Sequence, residues 1–166
     1  MNNLVLEMKN IVEDSSNAGL LPLTIRIKLK EYLQYFILDF IYNSEFKELN
    51  FYGGSCLRIM HDLSRMSEDL DFEVEEGFDS NEFVKGLEKY FHSKLLIKNV
   101  EIDKKITKNN VFTSVIKLQV MMEVGLSNNK NDKLKIKVDI RTVFKNYFKS
   151  MNIIYTPISR YGKTFV

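Results

Sequence analysis

Hydrophobic positions in the first quarter of the chain repeat with the spacing of amphipathic helices. Apolar residues within 3–14 recur at mostly helical intervals, and an Asn-Ala-Gly segment at 17–19 ends the pattern. Pro22 opens a longer pattern, from about 23 to 43, whose apolar positions follow the i, i+3, i+4 rule with charged residues on the other face. The sequence therefore predicts two helices, and we expect the second to form part of the core.

Beyond residue 48 the pattern changes to short apolar runs separated by polar turns. Leu49-Asn50-Phe51-Tyr52 predicts a strand that ends at two glycines, and helical character resumes at Ser55. A second strand is expected from Leu70 to Val74. Residues 80–93 predict a further helix, with Ser80 as its N-cap.

Three runs with strand character follow that helix, at 95–102, 111–122 and 133–140. The last two alternate in polarity and are joined by the polar turn 127–132, so we expect an antiparallel hairpin. Residues 153–155 predict one more short strand. Together these elements predict a single α+β domain, with a mixed β-sheet of four to six strands and helices packed on one face.

Composition narrows the classes of protein that the chain can represent. It has 166 residues, of which 45% are hydrophobic and 28% charged, which is enough apolar material for one core. The single cysteine, Cys56, cannot form an internal disulfide, and the N-terminus lacks a signal-peptide pattern, so we expect a cytoplasmic protein. No apolar run approaches the ~20 residues that a membrane helix needs, so we expect no membrane span.

Charge is divided unevenly along the chain although its net value is only +2. Residues 1–92 carry 9 Lys or Arg and 17 Asp or Glu, a net −8, whereas 93–166 carry 15 and 5, a net +10. Such a division suits a site that handles both metal cations and polyphosphate, and it also suits lysine-rich strands that merely face solvent.

Glycines between the first predicted strand and the helix after it form a candidate phosphate site. Gly53 and Gly54 permit a sharp turn that exposes successive N–H groups, and the N-terminus of a helix adds partial positive charge. Ser55 is placed to cap the helix, to donate a hydrogen bond to phosphate, or to do both. An ordinary tight turn would use the same residues.

Two acidic residues mark the start of the second predicted strand. Asp69 and Asp71 are two positions apart, so in a strand they project from one face while Leu70 enters the core on the other. Carboxylates this close repel each other, and a shared divalent cation is the simplest way to keep both ionised. Oxygen ligands without nearby Cys or His favour Mg²⁺ or Mn²⁺. The alternative is a pair of exposed acids at a strand edge.

A third carboxylate, Asp139, lies in a strand whose odd positions are charged. It shares a face with Lys135 and Lys137, and it would join the other two acids if the strands were neighbours. Three acids, a phosphate site and lysines suit two-metal phosphoryl or nucleotidyl transfer, in which the third Asp accepts the proton of the attacking hydroxyl. Alone, Asp139 would be a solvated strand residue.

The same residues carry a resemblance to a known family. Gly53-Gly54-Ser55-Cys56-Leu57-Arg58, followed by Leu63-Ser64-Arg65-Met66-Ser67-Glu68-Asp69-Leu70-Asp71-Phe72, resembles the signature of the AbiEii/AbiGii toxins, which are nucleotidyltransferase-like proteins of the DNA polymerase beta superfamily. The resemblance covers roughly residues 26–140, including Lys137-Val138-Asp139-Ile140.

The resemblance implies a minimal nucleotidyltransferase fold, with N-terminal helices in 1–46 packing on a core in 47–166. It implies three catalytic and metal-binding carboxylates, Asp69, Asp71 and Asp139, with Mg²⁺ or Mn²⁺ as the cofactor. It also implies that Gly54 and Ser55 bind the triphosphate, and Arg65 and Ser67 match motif positions at which we expect them to shape the loop before the metal strand or to touch phosphate. We expect Gly53 and Lys137 to belong to the same nucleotide-binding set.

The resemblance also implies a function and partners. Members are typically toxins of toxin–antitoxin or phage-defence systems, so we expect transfer of NMP from an NTP to a hydroxyl, on RNA such as the 3′ end of tRNA, and a cognate antitoxin. Related chains continue into a helical lobe after the last strand, whereas this sequence stops at Val166. We therefore expect an open site and self-association, and the alternative function is an inactive nucleotide- or partner-binding module.

Overall fold

The elements alternate between helices and strands along most of the chain. The computed structural model describes residues 3–64, 66–107, 109–161 and 163–165. Its helices are α1 (Asn3–Asn17), α2 (Pro22–Tyr42), α3 (Gly53–His61) and α4 (Ser80–Lys89), with a π-helical turn at Tyr90–Lys94 and a 3₁₀ turn at Tyr147–Ser150. Its strands are β1 (Asn50–Tyr52), β2 (Leu70–Glu75), β3 (Val100–Ile106), β4 (Val111–Leu118), β5 (Leu134–Val143), β6 (Ile158–Arg160) and β7 (Lys163–Phe165).

Five of the strands form one mixed sheet, in the order β1-β2-β5-β4-β3. Strands β2 and β5 are parallel, whereas the other neighbouring pairs are antiparallel. The structure thus confirms the α+β class, a mixed sheet within the expected four to six strands, and the hairpin between β4 and β5. Strands β6 and β7 form a separate two-stranded hairpin.

The two faces of the sheet differ in chemistry, as strand β5 illustrates. Its even positions, from Leu134 to Ile140, are fully buried, whereas its odd positions are charged and partly or fully exposed. On the buried face, Phe83 of α4 contacts Phe112 of β4, and both belong to the one hydrophobic core. The helices therefore pack on one face, as predicted, and the other face is polar.

Two predicted boundaries around α4 are wrong. Asp79, not Ser80, is the N-cap, because its side chain accepts hydrogen bonds from the N–H groups of Asn81 (2.8 Å) and Glu82 (3.1 Å). The predicted strand 95–102 is also displaced. The π-helical turn extends the helical segment to Lys94, and strand pairing starts only at Val100.

The remaining differences concern strand ends. Helix α3 already begins at Gly53 rather than at Ser55, and β4 ends at Leu118 rather than at 122. Residues 153–155 do not form a strand, and the Ile154 and Tyr155 side chains are each 76% exposed. Self-association through such exposed apolar surface remains a prediction.

The C-terminal hairpin packs against α2. Arg160 Nη1 donates a hydrogen bond to Tyr35 Oη (3.0 Å), and its guanidinium lies over the Tyr161 ring. Asn43 Nδ2 donates to the Thr164 carbonyl oxygen (3.1 Å). In the part of the chain that the structure describes, no helix combines the length and apolarity of a membrane span.

Candidate active site

The first turn of α3 brings backbone atoms against the acidic strand β2. Gly53 has φ +79°, a left-handed conformation that favours glycine, and the chain turns there from β1 into α3. A Cβ atom at Gly53 would lie 2.7 Å from Asp71 Oδ2, and one at Gly54 would lie 2.9 Å from Ser67 Oγ. A side chain at either position would therefore require the Asp71 carboxylate or the Ser67 hydroxyl to shift.

The Ser55 hydroxyl neither caps the helix nor is free for phosphate, the two roles expected from the sequence. The helix has no side-chain N-cap, so the prediction that Ser55 caps it is wrong. The Ser55 side chain is buried, and its hydroxyl donates a hydrogen bond to the backbone carbonyl of Asp69. This bond ties the phosphate-site turn to the start of β2. A role of Ser55 in nucleotide binding stays a prediction. Because the hydroxyl bonds to the Asp69 carbonyl, we expect the backbone N–H of Ser55 to be the group that binds the nucleotide.

Strand register places the acids together on the polar face. Asp71 lies directly beside Asp139 in the parallel pairing of β2 with β5, and Leu70 and Phe72 are fully buried on the opposite face. Asp69 immediately precedes β2, and its Oδ2 lies 3.9 Å from Lys137 Nζ. The structure thus brings together the three carboxylates that the sequence pattern nominated, which we call the acidic cluster.

Lys137 is the positive charge inside the acidic cluster. Its ammonium lies 2.6 Å from Asp139 Oδ2, and hydrogen bonding to Asp139 raises the Lys137 pKa. Asp139 Oδ1 accepts a hydrogen bond from Thr113 Oγ1 at 2.6 Å. Both oxygens of Asp139 therefore already have partners.

Asp71 is in a less favourable environment than Asp139. Burial raises its pKa, and the negative charges of Asp139 and Asp69 raise it further, whereas Lys137 lowers it. Tyr52, opposite Asp71 on β1, also has a raised pKa, because of burial and then the charge of Asp71. An additional cation near Asp71 would relieve this repulsion.

The chemistry of these side chains fits a divalent cation. Three carboxylates on one face, without Cys or His among them, form the oxygen-rich donor set that Mg²⁺ and Mn²⁺ prefer. Among the described residues, however, no group of three or more His, Cys, Asp or Glu side chains is arranged so that it could hold a metal ion. The carboxylates are thus available as donors but are not gathered into a ready-made cage, and Lys137 pairs with two of them, Asp69 and Asp139.

Sequence reasoning gave no role to three supporting residues, of which one contacts the acidic cluster and two contact the segment just before Asp69. Thr113 holds Asp139, Gln34 Nε2 donates to the Ser67 carbonyl oxygen (3.3 Å), and Lys30 pairs with Glu68 beside Asp69. Lys30 and Gln34 lie within the stretch that resembles the toxin family, on the polar face of their helix, whereas Thr113 offered no signal beyond its polar side chain. Arg65, a predicted nucleotide-binding residue, lies outside the described residues.

One comparison with a solved structure supports the fold. The chain resembles JHP933 from Helicobacter pylori with a TM-score of 0.52 at 15% sequence identity, over 83% of this chain and 50% of that one. It also resembles an H. pylori protein described as a candidate nucleotidyltransferase, with a TM-score of 0.49 at 14% identity, over 81% of this chain and 51% of that one. The chain thus spans about half the length of both. No curated protein matches it.

Comparison with protein families is more specific. Residues 37–154 match the model of the family described as nucleotidyl transferase AbiEii toxin of type IV toxin–antitoxin systems. The match covers more than half of the chain, and it contains the glycine turn together with Asp69, Asp71, Lys137 and Asp139. On this evidence the chain belongs to the AbiEii family of nucleotidyltransferase toxins.

Proposed function

We propose that the chain is a metal-dependent nucleotidyltransferase toxin that transfers NMP from an NTP to a hydroxyl group on RNA, such as the 3′ end of tRNA. The observation that carries the proposal is the pairing of Asp71 with Asp139 on the polar face of the sheet, directly against the Gly53 turn. Carboxylates beside a helix N-terminus provide for both cations and phosphate in one place.

Each part of the site has a task in this reaction. Backbone N–H groups of Gly54 and Ser55 at the start of α3 bind phosphate oxygens, and Asp69 and Asp71 would hold the Mg²⁺ or Mn²⁺ ions. Bound there, such ions would supply positive charge to neutralise the α-phosphate and the leaving pyrophosphate. Lys137 contributes a further positive charge for the triphosphate.

Asp139 serves as the base in the proposed reaction. The acceptor hydroxyl oxygen forms a bond to the α-phosphorus, the bond from that phosphorus to the bridging oxygen breaks, and pyrophosphate leaves with the electron pair. The hydroxyl proton passes to Asp139, whose carboxylate Thr113 keeps in a fixed orientation. Lys137 has to release Asp139 Oδ2 for that oxygen to accept the proton.

A second function competes with this one. The chain would instead be a nucleotide- or partner-binding module without turnover if Lys137 stayed between the acids. The observation in its favour is the 2.6 Å contact between Lys137 Nζ and Asp139 Oδ2, together with the absence of a preformed metal cage among the described residues.

Labelled nucleotides distinguish the two functions. The chain is incubated with Mg²⁺, total RNA and each of the four NTPs labelled at the α-phosphate, and then with the same NTPs labelled at the γ-phosphate. Transfer of NMP predicts that RNA acquires only the α-label and that pyrophosphate carries the γ-label. Asp71→Asn should abolish labelling, and Asp14→Asn, on the exposed side of α1, is the matched control. NTP binding without labelled RNA would favour the binding module.

The family also implies a protein partner. AbiEii toxins belong to toxin–antitoxin systems, so we propose that a cognate antitoxin restrains the growth inhibition that this chain causes. Expression of the chain alone should slow growth, and Asp71→Asn should remove the effect at equal protein level. Undiminished inhibition by the variant would place toxicity outside the acidic cluster.

A further inference from the structure

A groove lined by cationic side chains lies next to the acidic cluster, and no residue of the predicted site lines it. Its volume is about 550 Å³, and its charged lining consists of Arg26, Lys30, Lys117, Asp132, Lys133 and Lys135. We call it the basic groove. Five of these six side chains are positive, so its lining is the opposite in charge to the acidic cluster.

Two of the lysines are directly opposed in the sheet. Lys117 of β4 pairs in register with Lys135 of β5, and like charges at directly opposed positions destabilise a sheet. Lys117 forms an ion pair with Asp103, whereas Lys135 has no ion-pair partner among the described residues. A bound anion would lower the electrostatic cost of this lysine pair.

Four of the five cations that line the groove already form ion pairs with carboxylates. The Lys133 side chain is 24% exposed and its partner Glu101 is 57% exposed, and Lys117 is likewise less exposed than Asp103. In both ion pairs the carboxylate belongs to the more exposed side chain. Partly exposed ion pairs of this kind contribute about 0–1 kcal/mol each, so phosphate oxygens can replace the carboxylates at little cost.

The basic groove is continuous with the acidic cluster along two elements. On β5, Lys135 is followed on the same face by Lys137 and Asp139, so the groove begins about 13 Å from Asp139 at ~3.3 Å per residue. On α2, Lys30 pairs with Glu68, which directly precedes Asp69. A polyanion in the groove would therefore lead directly to the carboxylates.

We propose that the basic groove binds the phosphate backbone of the RNA strand that carries the acceptor hydroxyl. The groove itself takes up only a short segment of that strand, which we take as single-stranded, because about 550 Å³ is the volume of a pocket for a small ligand. This assignment rests on the proposed function for the identity of its ligand. It adds a subsite about 13 Å from the chemistry and fixes the direction from which the acceptor enters.

Binding of RNA in the absence of catalysis tests the subsite. A fluorescein-labelled 12-nucleotide single-stranded RNA is titrated with the full chain in EDTA, without NTP, and its anisotropy is followed over a range of salt concentrations. Lys117→Gln/Lys135→Gln should weaken binding about tenfold at low salt and should flatten the slope of log affinity against log salt by about 1.4, the value for two phosphate contacts on a single strand. Lys85→Gln/Lys89→Gln, exposed on α4 at the other face of the sheet, is the control and should change neither.

Other outcomes would overturn the subsite. An unchanged salt slope in the groove variant, or a loss of affinity for NTP with no loss for RNA, would show that the groove is not an RNA site. If the double variant does not fold, Lys135→Gln alone should still reduce the slope by about 0.7, since Lys135 holds no ion pair among the described residues. Wild-type RNA binding that depends on the groove, without any labelled product, would refute the transferase activity and leave the groove assigned.

Discussion

Lys137 is expected to act on metal and nucleotide with opposite signs, which makes Lys137→Met the most informative substitution. Its ammonium lies 2.6 Å from Asp139 Oδ2 and 3.9 Å from Asp69 Oδ2. It therefore occupies, as a single charge, the region in which a divalent cation would bind. Removing it should strengthen the binding of Mg²⁺ alone and weaken the binding of the triphosphate.

The size of the effect follows from these distances. A cation bound by Asp69 would lie about 5 Å from the ammonium, and a +2 and a +1 charge at that separation repel by about 1.7 kcal/mol in bulk water. Salt reduces this energy and burial increases it, so we expect about 1–2 kcal/mol, or roughly a tenfold gain in Mg²⁺ affinity. The ion pair with Asp139 is partly exposed, so its loss should cost the fold no more than about 1 kcal/mol.

Calorimetry with Mg²⁺, and Mn²⁺ binding followed by electron paramagnetic resonance, would measure the first effect directly. Calorimetry with an NTP in EDTA would measure the second. Lys135→Met is the matched control, because it removes the same charge two residues earlier in β5, and Lys135 has no ion pair among the described residues. Mg²⁺ affinity that is unchanged or weaker in Lys137→Met would refute the view that Lys137 competes with the metal.

Three further substitutions test individual contacts. Asp71 has a raised pKa, so its ionised form destabilises the fold at neutral pH, and Asp71→Asn should raise the melting temperature at pH 7. This gain should shrink as the pH falls toward the ordinary aspartate pKa of about 3.9, and a gain that persists in acid would contradict the reasoning. Ser55→Ala should cost about 1 kcal/mol in urea unfolding, since the bond to the Asp69 carbonyl is lost, and an unchanged midpoint would contradict that bond's contribution. Gly53→Ala should lower the melting temperature more than Gly19→Ala does. Both glycines have positive φ, but only at Gly53 would a Cβ meet Asp71 Oδ2, so equal melting temperatures would exclude that contact.

Side chains that lie in regular strands were the most predictable part of the site, because their direction alternates from one residue to the next. The period of two in a strand was enough to place Asp71 on the polar face and Leu70 and Phe72 in the core. The same rule, applied to β5, put Asp139 and Lys137 on one face. What the pattern could not provide was the pairing of Asp71 with Asp139, since sheet register depends on packing over almost seventy intervening residues.

Segments whose structure depends on a neighbour were predicted less well. Residues 95–97 have strand composition, yet Leu95 and Ile97 are buried at the end of a helical segment that the π-turn prolongs. Ser55 shows the same limit for a single side chain. Its type and position suit a phosphate ligand, but its hydroxyl bonds to a carbonyl fourteen residues later in the chain, and no local signal distinguishes these two partners.

The uneven distribution of charge along the sequence predicted an anionic partner, but it did not show which residues form the binding site. The net +10 of residues 93–166 predicted an anion partner without a location, and the lysines of β5 alone would also suit a solvated strand. The structure adds Arg26 and Lys30 from the acidic half, because α2 lines the same groove as the lysines of β4 and β5. The basic groove therefore combines residues from the acidic first half and the basic second half of the chain. Lys30 of α2 lines this groove and also pairs with Glu68, just before the strand that carries Asp71.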